Sequence, residues 1–356
     1  IDAGYATRRA AIAAFNAASP VIKRGIALTP VKFGISFTAT VFNQAGALVH
    51  VYKDGTVQVS HGGTEMGQGL HTKIRQIVAG EFGLPVADVR LSATDTRCVP
   101  NTSATAASSS TDLNGKAAQA ACRTICARIA AFVAGRLGID AGQVGFADGQ
   151  VRAPGFNRPF AQVVADAYRA RVQLWDAGFY TTPKIHFDPS TLHGRPFYYF
   201  AYGAAVSEVA IDTLTGEHRV LRVDILHDAG RPINPAIDIG QIEGGFMQGL
   251  GWLTCEELVF GPDGSLLTHS PSTYKIPAVS NLPPVFKLRL FDNANSEDAI
   301  HRSKAVGEPP LMLALSVFFA LRDAVAAALE PGARPPLDAP ATPEAILRAL
   351  NGGTLT

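Results

Sequence analysis

Hydrophobic and polar positions alternate through "ALVHVYKDGTVQVSH" (residues 47–61), which the dipeptide Asp54-Gly55 divides in two. A period of two on either side of Asp-Gly predicts a β-hairpin. The period then changes: Leu70, Ile74, Ile77, Val78 and Phe82 are spaced as one face of a helix that stops at Gly83. Between strand and helix stands "GGTEMGQG" (residues 62–69). A helix start offers unpaired N–H groups and the positive end of a dipole, so this loop predicts a backbone that comes close to an anion. It has neither the GK[ST] ending nor the GxGxxG spacing of a nucleotide loop.

The next alternating stretch, "VRLSATDT", runs into "RCVPNTSATAASSSTDLNG" and then a helical pattern beginning at Lys116. The run of small hydroxyl residues reads either as a flexible linker or as a wall of hydrogen-bond donors around a polar ligand. Its place between a buried strand and a buried helix favours the wall. Residues 207–228 form a second hairpin pattern turning at Thr215-Gly216, followed by the glycine-rich helix "IGQIEGGFMQGLGW". Gln68-Gly69 and Gln248-Gly249 stand in similar settings, a weak internal repeat. A third hairpin at residues 258–269, a strand in "VFKLRLFD" and a helix across "IDAGYATRRAAIAAFNAA" complete the pattern. Together they predict an α+β fold of mixed sheets with interspersed helices, in two subdomains at residues 27–180 and 181–356.

Composition adds limits. The 356 residues, 47% of them hydrophobic, suffice for two cores. With 31 Lys and Arg against 30 Asp and Glu, no surplus of positive charge exists to bind nucleic acid or an anionic membrane. Cys98, Cys122, Cys126 and Cys255 form no CxxC pair, and the spacing of Cys122 and Cys126 within an alanine-rich helix marks them as small buried hydrophobes. A reducing compartment, the cytoplasm, follows. The apolar run at residues 311–321 is short of the ~20 needed to cross a bilayer and reads as a buried helix. The chain begins with Ile and without a signal-like apolar core, so it reads as cut from something longer.

In "SKAVGEPPLMLALSVFF", Glu308 precedes two prolines and the most apolar helix of the chain. It could cap that helix. Placed against an apolar wall instead, its carboxyl would be buried, with a raised pKa suited to proton transfer.

The motifs "GGTEMGQGLHTK", "PNTSATAASSSTDLNG", "EGGFMQGLG" and "SKAVGEPPL", in this order, resemble the molybdenum hydroxylase family, most closely the C-terminal part of the molybdopterin-binding region of the xanthine dehydrogenases. The resemblance extends from "VKFGISFT" to "LRDAV". It implies a molybdopterin cofactor whose molybdenum is held through the pterin dithiolene, with no direct protein ligand. Gln68, Gly69, Lys73, Thr105, Ser108, Ser110, Thr111 and Gln248 match positions that contact the cofactor. Phe37, Thr38, Ala106 and Ala107 match the substrate pocket, and Glu308 matches the catalytic base.

The implied reaction is hydroxylation of a purine, hypoxanthine or xanthine, to urate. Electrons would leave to [2Fe–2S] and FAD centres on other chains or segments, with NAD as the final acceptor; the four cysteines are too few to hold those clusters. The upstream part of the molybdenum-binding region, an iron–sulfur and flavin chain or domains, and a dimer of the whole assembly are the implied partners. The proline pair after Glu308 and the threonine-rich loop favour a purine. An aldehyde oxidase-type hydroxylase and a structural fragment inactive alone are the competing readings.

Overall fold

The computed structural model describes residues 3–352. Ile1 and Asp2, where the first helical pattern begins, lie outside the described residues. Helix α1 (Tyr5–Ala18) leads to the long strand β1 (Ile22–Ile35). The predicted hairpin follows as β2 (Gln44–Val51) and β3 (Val57–His61), and the predicted helix as α2 (Leu70–Phe82), ended by Gly83 at φ +63°. Strand β4 (Val89–Leu91) is shorter than the alternation suggests. Helix α3 (Ser110–Leu137) starts earlier than Lys116, so Ser110 and Thr111 belong to its first turn.

A meander of β5 (Gly145–Ala147), β6 (Gln150–Ala153) and β7 (Phe156–Pro159) precedes α4 (Phe160–Arg169) and β8 (Trp175–Thr181). A ribbon of β9 (His186–Asp188) and β10 (His193–Arg195) joins the halves. The second half holds β11 (Tyr199–Asp212), β12 (His218–His227), α5 (Pro235–Thr254), β13 (Val285–Leu290), α6 (Pro309–Met312), α7 (Leu315–Ala326) and α8 (Pro343–Leu350). The third expected hairpin is reduced to one bridge, Phe260–Leu266.

Two four-stranded mixed sheets share one plan. In the first, ordered β4-β3-β2-β8, β2 and β3 are the hairpin, β4 is parallel to β3, and β8 is antiparallel to β2. In the second, ordered β13-β12-β11-β1, β11 and β12 are the hairpin, β13 is parallel to β12, and β1 is antiparallel to β11. Helices α2 and α5 make the equivalent crossovers, while α3 lies on β8 and β2 as α7 lies on β1 and β11. The close approach of helix to strand is reached by the same device twice. A Cβ on Gly178 of β8 would strike the backbone oxygen of Ala117 in α3, and one on Gly25 of β1 would strike that of Ala320 in α7.

The internal repeat is therefore present in topology, but its residue equivalences differ from the sequence reading. Aligning the helix starts Leu70 and Pro235 pairs Gln68 with Ile233, leaving Gln248 far down α5. Glycines of α5 serve helix packing: a Cβ on Gly249 would strike the Leu311 carbonyl oxygen, and one on Gly245 would crowd Pro310.

Each sheet has its own core, one built around Ile74, Phe82, Ile125 and Phe160, the other around Ile225, Phe246, Val317 and Leu321. Two units are present, yet a division at residues 27–180 and 181–356 misplaces β1, which pairs with β11 from Ile22–Asp212 to Ile35–Tyr199. Local alternation identifies a strand and carries no information on a partner almost two hundred residues away. Ser110–Leu137 and Pro309–Ala326 are long and apolar enough to span a membrane by composition, but 56% of each apolar window is buried inside these cores.

The last residues of β3 and β12, His61 and His227, are buried at 3% and 0% exposure. Burial pushes both imidazoles down to about 4. A folded pKa below the unfolded ~6.5 means that the unfolded chain binds more protons between those values. The stabilisation is complete above pH ~6.5 and lost as pH falls towards 4, on the order of 3 kcal/mol per histidine. Asp112, raised to about 6 by burial, offsets part of this loss in the same window. Melting temperature should therefore drop from pH 7 to 4.5, and His227→Leu should flatten that slope; a variant curve parallel to the parent's would refute the assignment.

Candidate active site

A cavity of about 280 Å³ opens where the crossover helices of the two units meet. Helix α2 and its preceding loop bring Met66, Gln68, Leu70 and Lys73 to the wall; α3 and its loop bring Thr105, Ala106, Ser108, Ser110, Thr111 and Asp112. From the second unit come Ile233, Asp238 and Gln241 at the start of α5, and Ser303 to Glu308 on the loop before α6. Lys73 and Asp238, each the fourth residue of its helix, form an ion pair that joins α2 to α5. Both are buried, at 8% and 2% exposure. Burial raises the Asp238 carboxyl, against the pull of the Lys73 ammonium.

Most of the loop chemistry differs from simple exposure of helix N–H groups to a ligand. Glu65 accepts from the N–H groups of Gly67, Gly69 and His71 at 2.9–3.0 Å, so the start of α2 already holds a carboxylate. Burial works against the charge of Glu65, but these hydrogen bonds prevail and its pKa is lowered. Gly62 and Gly63 are small because Thr102, Leu70 and Asn114 press on them. The expectation of an anion beside this backbone is thus corrected: the protein's own side chain sits there. At α3, in contrast, no side chain caps the start. Its positive end and the Ser110 and Thr111 hydroxyls border the cavity.

Other predicted residues hold the wall together. Thr64 N–H donates to Thr105 Oγ1 at 2.8 Å, and Glu308 N–H donates to Ser108 Oγ at 2.8 Å, tying loops of both units to the hydroxyl run. Ala107 and Ser108 both take φ +52°, a conformation non-glycine residues hold only when their surroundings impose it. Gln68 reaches the wall, but its amide is engaged within its own loop: Oε1 accepts from Met66 N–H at 2.6 Å and Nε2 donates to Thr64 O at 2.8 Å.

Glu308 stands on the cavity wall, and its side chain makes no cap to α6. The capping role is not the one it plays. Nor is it buried: it is exposed at the open side, which corrects the expectation that an apolar wall encloses it.

Several predicted residues are not brought to this lining. Gly69 contributes its φ of +78° and its proximity to Ile237, and Ala107 lies behind Ala106 and Ser108 in the chain turn. Phe37 and Thr38 follow β1, where Phe37 N–H donates to Asn43 Oδ1 and its ring meets Phe42 at 5.7 Å. Gln248 is exposed, two helical turns beyond Gln241. Gln241, Asp238, Lys304 and Asp112 line the cavity without having been singled out. The cue for Gln241 was available: Asn234-Pro235 marks the start of α5, and only its first turns can face the cavity. Among the described residues, no group of His, Cys, Asp and Glu is placed to hold a metal ion directly.

Two units of one plan enclose a cavity bordered by hydroxyl side chains at their helix starts, and residues 2–283 match the family model of the molybdopterin cofactor-binding domain. The chain belongs to that family. It is 48% identical over 97% of its length to the xanthine dehydrogenase/oxidase of Rattus norvegicus, and 48% identical over 98% to the xanthine dehydrogenase of Oryza sativa subsp. japonica. It spans about a quarter of the length of these curated relatives, 25% in both cases.

Among solved structures, the reconstituted CO dehydrogenase from Oligotropha carboxidovorans superposes with a TM-score of 0.84 at 22% identity, covering 98% of this chain and 44% of that one. Quinoline 2-oxidoreductase from Pseudomonas putida 86 gives 0.80 at 25%, covering 97% and 44%. The fold is that of the matched parts of these two chains.

Proposed function

We propose that this chain supplies one wall of the active site of a molybdopterin-dependent hydroxylase acting on a purine such as hypoxanthine or xanthine. The observation that carries the reading is a carboxylate, Glu308, that neither caps its helix nor pairs with a cation among the described residues, on the wall of a hydroxyl-lined cavity in a chain 48% identical to xanthine dehydrogenases. The donor set fits a phosphate-bearing pterin: Gln241, Ser110 and Thr111 offer N–H and O–H donors, beside the uncapped start of α3. When bound, the group supplies oxygen transfer and two-electron redox chemistry.

This chain's residues would do the rest. Gln241 and the hydroxyl loop hold the cofactor, Ala106 leaves room beside it, and Glu308 takes up a proton on its carboxylate as the substrate is hydroxylated. Electrons would pass to iron–sulfur and flavin centres on other segments or chains, then to NAD, in a dimeric cytoplasmic assembly. Molybdenum content of the intact protein, with turnover of xanthine against an aromatic aldehyde, tests the reading; aldehyde turnover alone would replace the purine assignment with an aldehyde oxidase-type one.

The cofactor contact separates two glutamines. Gln241→Ala should leave a bound polar group underpaired by roughly 1–3 kcal/mol and lower molybdenum retention. Gln248→Ala should retain the parent's content. Equal retention in both variants would remove Gln241 from the cofactor site.

A further inference from the structure

The loop that carries Glu308 is held from the start of α3. Ala305 N–H donates to the Tyr199 hydroxyl oxygen at 3.0 Å, and that hydroxyl donates to Asp112 Oδ2 at 2.6 Å. Asp112 also accepts the backbone N–H of Ile300, further up the same loop. Three residues beyond Ala305, Glu308 N–H is bound by Ser108, which belongs to the loop before α3. Upstream, Lys304 is fixed to the second unit through Asp228 at 2.6 Å and Ala229 O at 2.8 Å.

Tyr199 and Asp112 are themselves poorly free to move. Tyr199 opens β11, is 5% exposed and pairs with Ile35, while Asp112 is in the first turn of a 28-residue helix at 9% exposure. A tyrosine oxygen that donates to a carboxylate has its lone pairs turned elsewhere, and here they meet Ala305 N–H. A charge-assisted O–H···O⁻ bond also fixes the hydroxyl rotor, which an isolated tyrosine leaves free.

We infer that Tyr199 and Asp112 are positioning residues for Glu308: by holding Ala305 and Ile300 they set the carboxylate of one unit from the first helical turn of the other. The inference rests on Glu308 as the proton acceptor. Displacement of a reacting group by about an ångström costs on the order of 10²-fold in rate. In the intact protein, Tyr199→Phe should therefore lower kcat about 10- to 100-fold with KM and molybdenum content unchanged, and should speed amide hydrogen exchange in residues 300–308. Ser108→Ala should speed exchange around residue 308 through the second anchor, read by exchange alone because Ser108 also borders the cavity, so the test survives if Tyr199→Phe fails to fold. Asp112→Asn, which keeps one accepting oxygen but puts an amide NH2 where the second carboxylate oxygen stood, cannot accept from both the Tyr199 hydroxyl and the Ile300 N–H and should likewise speed exchange in residues 300–308 and lower kcat.

Parental exchange and kcat in Tyr199→Phe would overturn the inference, as would parental exchange in Asp112→Asn. Exchange identifies which idea failed. If the loop loosens in Tyr199→Phe and Glu308→Gln leaves turnover intact, the anchoring stands and the role of Glu308 falls.

Discussion

Replacing Glu308 by glutamine in the intact protein is expected to slow substrate turnover by about 10³-fold while molybdenum content and melting temperature stay near the parent's. The expectation comes from what the side chain does not do. It makes no cap to α6, so removing its charge loosens no helix start, and a lost cap would in any case cost only ~0.5–2 kcal/mol of stability. Glutamine keeps the size and can still hydrogen-bond. It cannot accept a proton, and a general base contributes ~10²–10⁴ in rate. Glu308→Ala should be equally slow, with the backbone N–H of residue 308 still held by Ser108. If Glu308→Gln turns over within about tenfold of the parent at saturating substrate, the base lies elsewhere.

Much of the frame was legible because its signals are local. Asp54-Gly55 and Thr215-Gly216 marked real hairpins, and the face from Leu70 to Phe82 marked α2 to the residue. The hydroxyl run from Thr105 to Thr111 was legible as a cavity wall because small polar residues seldom stand between buried elements without a partner. What escaped was non-local. The pairing of β1 with β11, the meeting of Lys73 with Asp238 and the hold of Tyr199 on Ala305 join residues far apart in sequence, each unremarkable in its own neighbourhood.

The glycines misled in a different way. Their spacing showed that something lies close, but Gly63 faces Leu70 and Gly249 faces Leu311, so the close neighbour is often the protein itself. Gln248 was chosen by its glycine neighbour, whereas distance along α5 from its start decides which glutamine meets the cavity. Three-quarters of the way along a 20-residue helix is about 20 Å from its first turn.

Breaking the Lys73–Asp238 pair from one side should be the largest stability effect in the cavity. Both groups are buried, and removing one partner of such a pair costs about 3–5 kcal/mol because the other charge stays behind without compensation. Asp238→Leu should be the worse change near pH 7, leaving an ammonium in the wall. Lys73→Met leaves a carboxyl that burial already raises, so it can neutralise by binding a proton. With its folded pKa raised above the unfolded ~3.9, stability gained from that proton is present at low pH and lost as pH rises through the folded value. The Lys73→Met penalty should therefore shrink from pH 7 to pH 5, while that of Asp238→Leu should not shrink by the same route. The double variant Lys73→Met with Asp238→Leu removes both charges and should recover most of the loss. Because the pair joins the first turns of α2 and α5, both single variants should also loosen the cavity and lower molybdenum retention. Additive losses in the double variant, measured by denaturant unfolding at pH 7, would mean that the two residues do not stabilise the fold through each other.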